Sequence, residues 1–454
     1  MNDTIDFKEK LTNFYRYPSI CLFQDGIKKD TQAEYMSFLD KPRIKTDRQQ
    51  MVYIHIPFCS YLCNYCPFYK VPERSHTAMI EPFVKALVKE IEMYAERGFF
   101  KGVKITNINW GGGTPMLLGT EHIITILDAL YKNLDCSEVG VVSIEGDAFS
   151  LQDKDKLKAL KAHGVTRTSM GIQTFNERLR KKLGVLPDVT DVYKSVKAIE
   201  RADFGEWGCD ILYNCPDQNV TEIRYNVDRI AELSPWVIDA YDLNISPNTK
   251  LQKMVDAGKF NTIPNNISEI NMFQALMEGF EGHGYPQTRS VNWNNPEHMP
   301  HENGILNVFN SDLISFGPSG RTFLYSTGKN YRNHTNLEKY IEDINNGLFP
   351  LEAGNDVTQT QLEERDIMLV PYFLERKKTD INYSRFKEKI DIMAHNDYMY
   401  TTDDSVGITE KGKMWAGNIQ YFFHSDDEMG RMAKSMFKSI QEKKNLFNQD
   451  LMNV

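Results

Sequence analysis

Hydrophobic residues recur along the chain in two alternating patterns. Short runs rich in β-branched residues predict strands at residues 52–56, 105–110, 141–145, 167–173, 208–213 and 237–245. Apolar residues spaced three and four apart predict helices at residues 80–97, 121–134, 152–163, 192–201, 221–233 and 268–283. Because crossovers between parallel strands are right-handed, the alternation predicts an α/β fold, either an open barrel or a doubly wound sheet. The loops at the carboxyl ends of the strands would then be available for chemistry.

The flanking regions follow other patterns. Residues 285–331 form shorter segments rich in Asn, Gly and Ser, which predicts antiparallel strands that extend or cover the sheet. The pattern from 355 to 423 predicts two or three short helices and a hairpin, a small helical or winged module. We therefore divide the chain into an N-terminal wrap (1–48), a barrel region with its extension (49–350), a C-terminal domain (355–424) and a methionine-rich amphipathic helix (425–454).

Composition narrows the function classes. The chain has 454 residues, of which 41% are hydrophobic, so it can bury a large core. It carries 53 Lys and Arg against 62 Asp and Glu, a formal charge of -9, which argues against nucleic-acid binding through bulk positive charge. No run of about 18 apolar residues and no secretory signal pattern occur. We therefore expect a cytoplasmic protein with no membrane partner.

Three of the seven cysteines, Cys59, Cys63 and Cys66, lie within eight residues. Their spacing offers three thiolates to three irons of a cubane and leaves the fourth iron open, as in a catalytic site that can take a bidentate ligand. A zinc site is the alternative, but it more often uses paired Cys-x-x-Cys units and a fourth ligand, and His55 lies on a predicted strand that would direct it elsewhere. The remaining cysteines, Cys21, Cys136, Cys209 and Cys215, lack metal spacing and are expected to be buried thiols.

The motif Cys-x3-Cys-x-aromatic-Cys, with Tyr65 as the aromatic residue, resembles the signature of radical S-adenosylmethionine (SAM) enzymes. The wider string at residues 53–59 is similar to one branch, which contains oxygen-independent coproporphyrinogen oxidases, their heme-chaperone relatives and HemN-like class C methylases. The resemblance covers residues 50–423 and implies a partial (β/α)6 barrel. It also implies a [4Fe-4S] cluster on Cys59, Cys63 and Cys66, and SAM that is cleaved to a 5′-deoxyadenosyl radical. A flavodoxin- or ferredoxin-type reductant would supply the electron.

The same resemblance implies roles for residues at the strand ends. Gly111, Gly112 and Gly113 would let a ligand approach the backbone, and with Thr114 they resemble the motif that contacts the methionine amino group. A tight turn is the alternative. Glu145, Gln173 and Asp210 match family positions that contact SAM, where carboxylate and amide groups suit an ammonium or a hydroxyl group. For Glu145 and Gln173, a capping or solvated role is the alternative.

Further residues are implied next to the cofactors. Tyr53 resembles a catalytic tyrosine near the SAM sulfonium and carboxylate, although it could equally be a core residue. Tyr65 and Phe68 would lie beside the bound cofactor. Gly317, in a glycine-rich strand and turn that ends at Arg321, resembles a segment lining the pocket for a second SAM or the substrate.

Two departures from the family pattern bear on function. Coproporphyrinogen oxidases have another cysteine two residues after the third ligand, where this chain has Phe68. A common Leu-Gly-Arg sequence is replaced here by Leu183-Gly184-Val185. These differences favour a class C methylase that uses two SAM molecules to methylate an sp2 carbon of an aromatic or tetrapyrrole small molecule, with cyclopropanation as a variant. The alternatives are oxidative decarboxylation of coproporphyrinogen and a heme carrier.

Overall fold

The structure is a computed structural model, and it describes residues 5–7, 10, 31–247, 249–298 and 311–424. In these residues the strands are β1 (Gln50–Ile56), β2 (Phe58–Cys59), β3 (Val71–Pro72), β4 (Ile105–Gly112), β5 (Val141–Gly146), β6 (Arg167–Gln173), β7 (Glu206–Tyr213), β8 (Val237–Asp242), β9 (Gln287–Arg289), β10 (Asn292–Asn294), β11 (Asp312–Phe316), β12 (Arg321–Leu324), β13 (Lys329–Asn333), β14 (Leu351–Asp356), β15 (Glu375–Lys377), β16 (Met399–Thr401) and β17 (Ser405–Ile408).

The helices in the same residues connect and cover these strands. They are α1 (Thr31–Leu39), α2 (Glu73–Ala95), α3 (Thr120–Asn133), α4 (Lys154–Ala162), α5 (Glu177–Leu183), α6 (Val189–Arg201), α7 (Val220–Leu233), α8 (Lys250–Asp256), α9 (Asn266–Gly282), α10 (Leu337–Asn345), α11 (Gln359–Phe373), α12 (Tyr383–His395), α13 (Glu410–Met414) and α14 (Ala416–Phe422). Helices α4 to α7 begin at polar side chains that accept hydrogen bonds from the first turn, namely those of Asp153, Asn176, Asp188 and Asn219. None of the described helices is long and apolar enough to cross a membrane.

Six parallel strands form the centre of one large sheet, in the order β1, β4, β5, β6, β7 and β8. At the β1 edge, β11 adds in parallel, and β12, β13 and β14 follow it antiparallel. At the β8 edge, β10 and β9 add antiparallel. The α/β fold with a partial six-stranded barrel and an extension is therefore confirmed, and the extension lies on both edges. The extension is antiparallel as predicted except for β11, which is parallel to β1.

Alternate residues of each parallel strand face opposite sides of the sheet. The outward residues join the main hydrophobic core under the helices, as Val52, Ile54 and Ile56 do in β1. The inward residues are largely polar or glycine, and they include Tyr53, His55, Asn107, Asn109, Gly111, Ser143, Glu145, Arg167, Ser169, Asp210 and Asp239. A polar interior is unusual for packing alone, so this face is the natural place for a ligand.

The C-terminal segment forms a second core around a three-stranded sheet in the order β15, β17, β16, with helices α11 to α14. The predicted hairpin is β16 and β17, while β15 was not predicted. Ile5 and Phe7 pack into this core. Strand β14 belongs to the large sheet and continues past residue 350. The predicted helix at 425–454 lies outside the described residues, and the domain division stays a prediction.

Candidate functional site

The three clustered cysteines lie on the segment that follows β1, which we call the cluster loop (residues 57–74). Cys59 is buried on β2, whereas Cys63 and Cys66 are partly buried in the irregular stretch between β2 and β3. Burial, together with the neighbouring thiols, raises the pKa of Cys59 to about 11 and that of Cys63 to about 12. The Thr114 hydroxyl donates a hydrogen bond to Cys59 Sγ at 3.6 Å. These thiols therefore need a cation to become thiolates.

The donor set fits an iron–sulfur cluster better than a single metal ion. In the described ranges, no three side chains of His, Cys, Asp and Glu are placed to share one ion, as a structural zinc would require. Three thiolates of a [4Fe-4S] cluster bind three different irons. His55 does not complete a zinc site, because its Nε2 lies 3.2 Å from the Tyr69 carbonyl and its Nδ1 lies 3.5 Å from the Tyr53 hydroxyl. The cluster on Cys59, Cys63 and Cys66 stays a prediction that the donor chemistry supports.

Asn64, between Cys63 and Tyr65, fixes the cluster loop to two helices. Its backbone N–H donates to the Leu183 carbonyl at 2.8 Å, and its side-chain amide donates to the Lys182 carbonyl at 2.9 Å. Its own carbonyl accepts from the N–H of Leu251 at 2.7 Å. The loop thus bridges the C-terminus of α5 and the N-terminus of α8, two short helices that were not predicted from the sequence.

Gly184, which ends α5, has a φ of 73°, and a Cβ there would lie 2.9 Å from the Asn64 side chain. The sequence Leu183-Gly184-Val185 therefore has a structural role at this contact: glycine supplies both the left-handed conformation and the space. Tyr65 packs on the same small hydrophobic cluster, which includes Leu179 and Leu251. This packing holds the cluster loop against α5 and α8.

Phe68 and Lys70 follow the third cysteine. Phe68 is 49% exposed. The Lys70 ammonium donates to the carbonyls of Cys66 at 2.8 Å and Phe68 at 3.1 Å, which holds the end of the loop. The predicted cofactor contact of Phe68 would therefore be made at the protein surface.

The glycine motif packs against protein atoms on three sides. A Cβ on Gly111 would lie 2.7 Å from Glu145 Oε1, and one on Gly112 would lie 2.6 Å from the His55 ring. Gly113 touches the backbone of Phe58, and its N–H donates to the Ile56 carbonyl at 2.7 Å. The motif therefore fixes the positions of the cluster loop and of Glu145. The sequence suggested only that a ligand approaches the glycines or that they form a tight turn.

The predicted SAM contacts Glu145, Gln173 and Asp210 all lie on the inward face of the barrel. Solvent reaches the Glu145 side chain, but the surrounding barrel wall raises its pKa to about 7, and nearby Asp239 adds to this. Burial and then Asp239 raise the pKa of Asp210 well above its ordinary value. Gln173 ends β6 with a φ of 69°, a conformation that non-glycine residues rarely adopt outside functional sites and tight turns.

Arg180 stabilises the C-terminal end of β6 through hydrogen bonds to backbone carbonyls. The buried guanidinium donates to the carbonyls of Ile172 at 2.7 Å, Thr174 at 2.8 Å and Pro187 at 2.6 Å. These bonds flank Gln173 on both sides in the sequence. These hydrogen bonds therefore hold the unusual backbone conformation of Gln173 in place.

Gly317 lies behind β1 instead of at an open pocket wall. It has a φ of 93°, and a Cβ there would overlap the His55 carbonyl oxygen. Its N–H donates to Glu90 Oε2 at 2.8 Å, and its carbonyl accepts from Asn333 Nδ2 at 3.0 Å. The predicted contact of Gly317 with a second SAM or the substrate stays a prediction that these contacts do not favour.

Sequence reasoning missed several inward residues. Asp239 on β8 is paired with Asp210, and Asn292 on β10 donates a hydrogen bond to it. Arg167 and Arg289 act on the Asp239 carboxyl as neighbouring positive charges. The signal was present, because strict alternation along residues 237–241 places Asp239 on the inward face.

The interior also has polar atoms that suit a polar ligand. In the described part of the chain, the hydroxyl of Ser169 and both polar side-chain atoms of Asn109 are buried without a hydrogen-bond partner. Such groups are uncommon in native proteins unless a ligand or water satisfies them. The residues present therefore fit a polar cofactor such as SAM. Of the other cysteines, Cys209 and Cys215 are buried as expected, Cys136 is only partly buried, and Cys21 lies outside the described residues.

A three-cysteine loop at the carboxyl edge of a parallel, polar-lined partial barrel is the arrangement that the sequence resemblance to radical SAM enzymes implies. Residues 53–230 match the family model of the radical SAM superfamily, and this part of the chain is a radical SAM domain. The match includes the cluster loop, the glycine motif and the strands that carry Glu145, Gln173 and Asp210.

Over most of its length the chain is similar to proteins of the coproporphyrinogen oxidase-like branch. It is 25% identical to the heme chaperone HemW of Bacillus subtilis, with 81% of this chain and 97% of that protein covered. It is 24% identical to the anaerobilin synthase of Escherichia coli O157:H7 (82% and 83% covered) and 24% identical to the oxygen-independent coproporphyrinogen III oxidase of Escherichia coli K12 (91% and 94% covered). The solved structure of coproporphyrinogen III oxidase from Escherichia coli matches with a TM-score of 0.76 at 20% identity, covering 90% of this chain and 96% of that chain. This structural match establishes the fold.

Proposed function

We propose that the chain cleaves SAM reductively at a [4Fe-4S] cluster and acts on a tetrapyrrole. The observation that carries the first part is the position of Cys59, Cys63 and Cys66 on a loop clamped across the edge of a polar-lined barrel. When bound, the cluster supplies the electron that splits SAM into methionine and a 5′-deoxyadenosyl radical.

In this proposal, residues of the chain bind the cluster and SAM and hold them in position. Cys59, Cys63 and Cys66 would hold the cluster, and Thr114 would retain its hydrogen bond to the Cys59 sulfur. Glu145 and Asp210, on the barrel wall, would offer carboxyl oxygens to the ammonium and hydroxyl groups of SAM. Fixed groups of this kind hold a reactive intermediate in one orientation and keep water from it.

The tetrapyrrole part of the proposal draws on the names of the relatives, two of which are named for heme or coproporphyrinogen. Aromatic side chains at the mouth of the barrel suit a flat conjugated substrate. Tyr61 on the cluster loop and Phe149 after β5 meet edge to face, with ring centroids 6.3 Å apart, and Phe149 is 44% exposed. Tyr241, the next inward residue of β8 after Asp239, is also exposed.

For the reaction itself, C-methylation draws no support from these relatives, so the two alternatives take precedence. Oxidative decarboxylation of coproporphyrinogen is the first candidate, because the similarity to that oxidase covers nearly the whole of both chains. A heme carrier is the second candidate. Phe68 favours it over the oxidase, because Phe68 replaces the cysteine that the oxidases have at this position.

The test starts with anoxic reconstitution of the full chain with iron and sulfide, followed by dithionite and SAM. We expect 5′-deoxyadenosine from the wild-type protein and none from Cys63→Ala, with Cys136→Ala as the matched control. Equal yields from Cys63→Ala and the wild type would refute the ligand assignment.

The reaction is then assigned by adding coproporphyrinogen III or heme. Carbon dioxide and a vinyl product support decarboxylation, whereas stoichiometric heme binding without SAM cleavage would refute the proposed cleavage and support a carrier instead. S-adenosylhomocysteine with a methylated product would restore the methylase hypothesis and overturn both alternatives.

A further inference from the structure

We propose that the outer surface of the cluster loop, together with the exposed faces of α5 and α8, is a docking surface for an acidic one-electron carrier protein. The inference rests on the proposed function, because reductive cleavage of each SAM consumes one electron. In the docked complex the carrier is oxidised by one electron and the cluster is reduced by one, with no atom transferred.

The three elements form one continuous surface around the predicted cluster ligands. Asn64 lies next to Cys63 and is bonded to the last residues of α5 and to Leu251 of α8, all at 2.9 Å or less. Cys63 and Tyr65 pack on Leu179 and Leu183 of α5 and on Leu251. Helices α5 and α8 therefore stand directly beside the place where an electron would enter.

This surface has the opposite charge balance to the whole chain. Without the buried Arg180, the stretches 57–74, 177–186 and 249–260 carry eight Lys and Arg against three Asp and Glu, whereas the full chain has 53 against 62. Lys181, Lys250 and Lys253 are exposed and make no ion pair within the described part of the chain. Lys182, by contrast, is bound to Asp217. A local basic patch on a protein of charge -9 selects an acidic partner and accelerates its encounter.

The patch also has an apolar centre. Leu62, which directly precedes Cys63, is 43% exposed, and Leu186, two residues after Gly184, is 64% exposed. Gly184 lies against Asn64, so these two leucines flank the same part of the loop. Apolar residues surrounded by charged ones are typical of protein interfaces, and transient redox partners bury small areas of this kind.

Charge reversal tests the docking surface. The test variant is Lys181→Glu/Lys250→Glu/Lys253→Glu, and the matched control is Lys132→Glu/Lys158→Glu/Lys197→Glu, which changes the same number of exposed charges on helices α3, α4 and α6. The probe is a purified flavodoxin of net negative charge. Its binding to reconstituted protein is measured by biolayer interferometry at several salt concentrations, and 5′-deoxyadenosine is measured with reduced flavodoxin and, separately, with dithionite.

We expect flavodoxin binding to wild type and control to weaken as salt increases, because the charges are exposed. The test variant should bind at least tenfold more weakly and give correspondingly less 5′-deoxyadenosine with flavodoxin, while its dithionite yield stays at the wild-type level. Unchanged binding in the test variant, or an equal loss in the control, would overturn the docking proposal. If wild-type protein gave no 5′-deoxyadenosine with dithionite, the proposed function would fail, and the binding data would still decide whether the surface docks the carrier.

Discussion

Asp210 and Asp239 occupy paired positions on neighbouring parallel strands, with both carboxyl groups on the inward face of the barrel. Burial and mutual repulsion raise the pKa of Asp210 well above its ordinary value, and burial also raises the pKa of Asp239. Two carboxyl groups in contact cannot easily both ionise, so the pair retains a proton at pH values where an isolated aspartate has lost it. This proton is available to hydrogen-bond a ligand in the barrel.

This pair makes the stability of the protein depend on pH. Because the folded state holds the proton more tightly than the unfolded state, the stabilisation is complete below about pH 4 and is lost as the pH rises through the folded-state pKa values. Asp239→Asn removes one carboxyl group, so we expect a smaller loss of unfolding free energy with rising pH, measured by denaturant titration. Asp403→Asn, at an exposed position, should leave the wild-type profile unchanged. Parallel pH profiles for wild type and Asp239→Asn would contradict the shared proton.

Gly111 provides the second prediction. Gly111→Ala places a methyl group 2.7 Å from Glu145 Oε1, closer than such atoms can approach, so the carboxylate must move. We expect SAM to bind to the reconstituted variant roughly tenfold more weakly, because the displaced carboxylate would lose a hydrogen bond to SAM, worth about 1.5 kcal/mol. Equilibrium dialysis with labelled SAM measures this. Gly140→Ala is the control, because a Cβ there has no neighbour within 4 Å. Wild-type affinity in Gly111→Ala would show that Glu145 does not contact SAM.

The strands and most helices of the barrel could be predicted because their apolar residues follow a regular period. The observed β1, β5 and β6 begin or end within two residues of prediction. Helices α5 and α8 were missed because seven residues give too few turns for a period to be recognised. Helix α2 begins at Glu73, earlier than predicted, because it continues across a kink at His76.

The candidate site could be predicted less completely. Local motifs identified Cys59, Cys63, Cys66 and the glycines, since spacing along the chain carries that information. The hydrogen bonds of Asn64 to α5 and α8 join residues about 120 and 190 positions apart, and no local pattern encodes them. Asp239 was overlooked for another reason: alternation along β8 places it on the inward face, but its pairing with Asp210 depends on the order of the strands in the sheet.

The hydrogen bonds that join Asn64 of the cluster loop to α5 and α8 give the third prediction. Asn64→Ala removes the side-chain hydrogen bond to the Lys182 carbonyl and a weaker one to Met254 Sδ at 3.7 Å, and it keeps the backbone bonds. Loss of one such bond costs about 1 kcal/mol, which corresponds to roughly a fivefold increase in local opening. We expect iodoacetamide to alkylate Cys63 and Cys66 of the metal-free protein faster by about that factor, as quantified by peptide mass spectrometry. Asn261→Ala, an exposed position outside the loop, serves as control. An unchanged alkylation rate would mean that the backbone contacts alone hold the loop.

Glu90 gives the fourth prediction, which concerns the junction behind β1. Its buried carboxyl group accepts hydrogen bonds from the Gly317 N–H at 2.8 Å, Asn333 Nδ2 at 2.8 Å and the Tyr340 hydroxyl at 2.6 Å. These donors favour the charged form, but burial is the larger effect and raises the pKa from 4.5 to about 7. The folded state therefore binds this proton more tightly than the unfolded state.

The contribution of Glu90 to stability is complete below pH 4.5 and is lost as the pH rises through 7. A shift of this size corresponds to about 3 kcal/mol. Glu90→Gln resembles the neutral form at every pH, so its unfolding free energy relative to wild type should rise by about that amount between pH 4.5 and 8. The matched control is Glu92→Gln, at an exposed position on the same helix. Urea titrations at each pH measure the difference, and a constant gap between wild type and Glu90→Gln would place the pKa of Glu90 near its ordinary value.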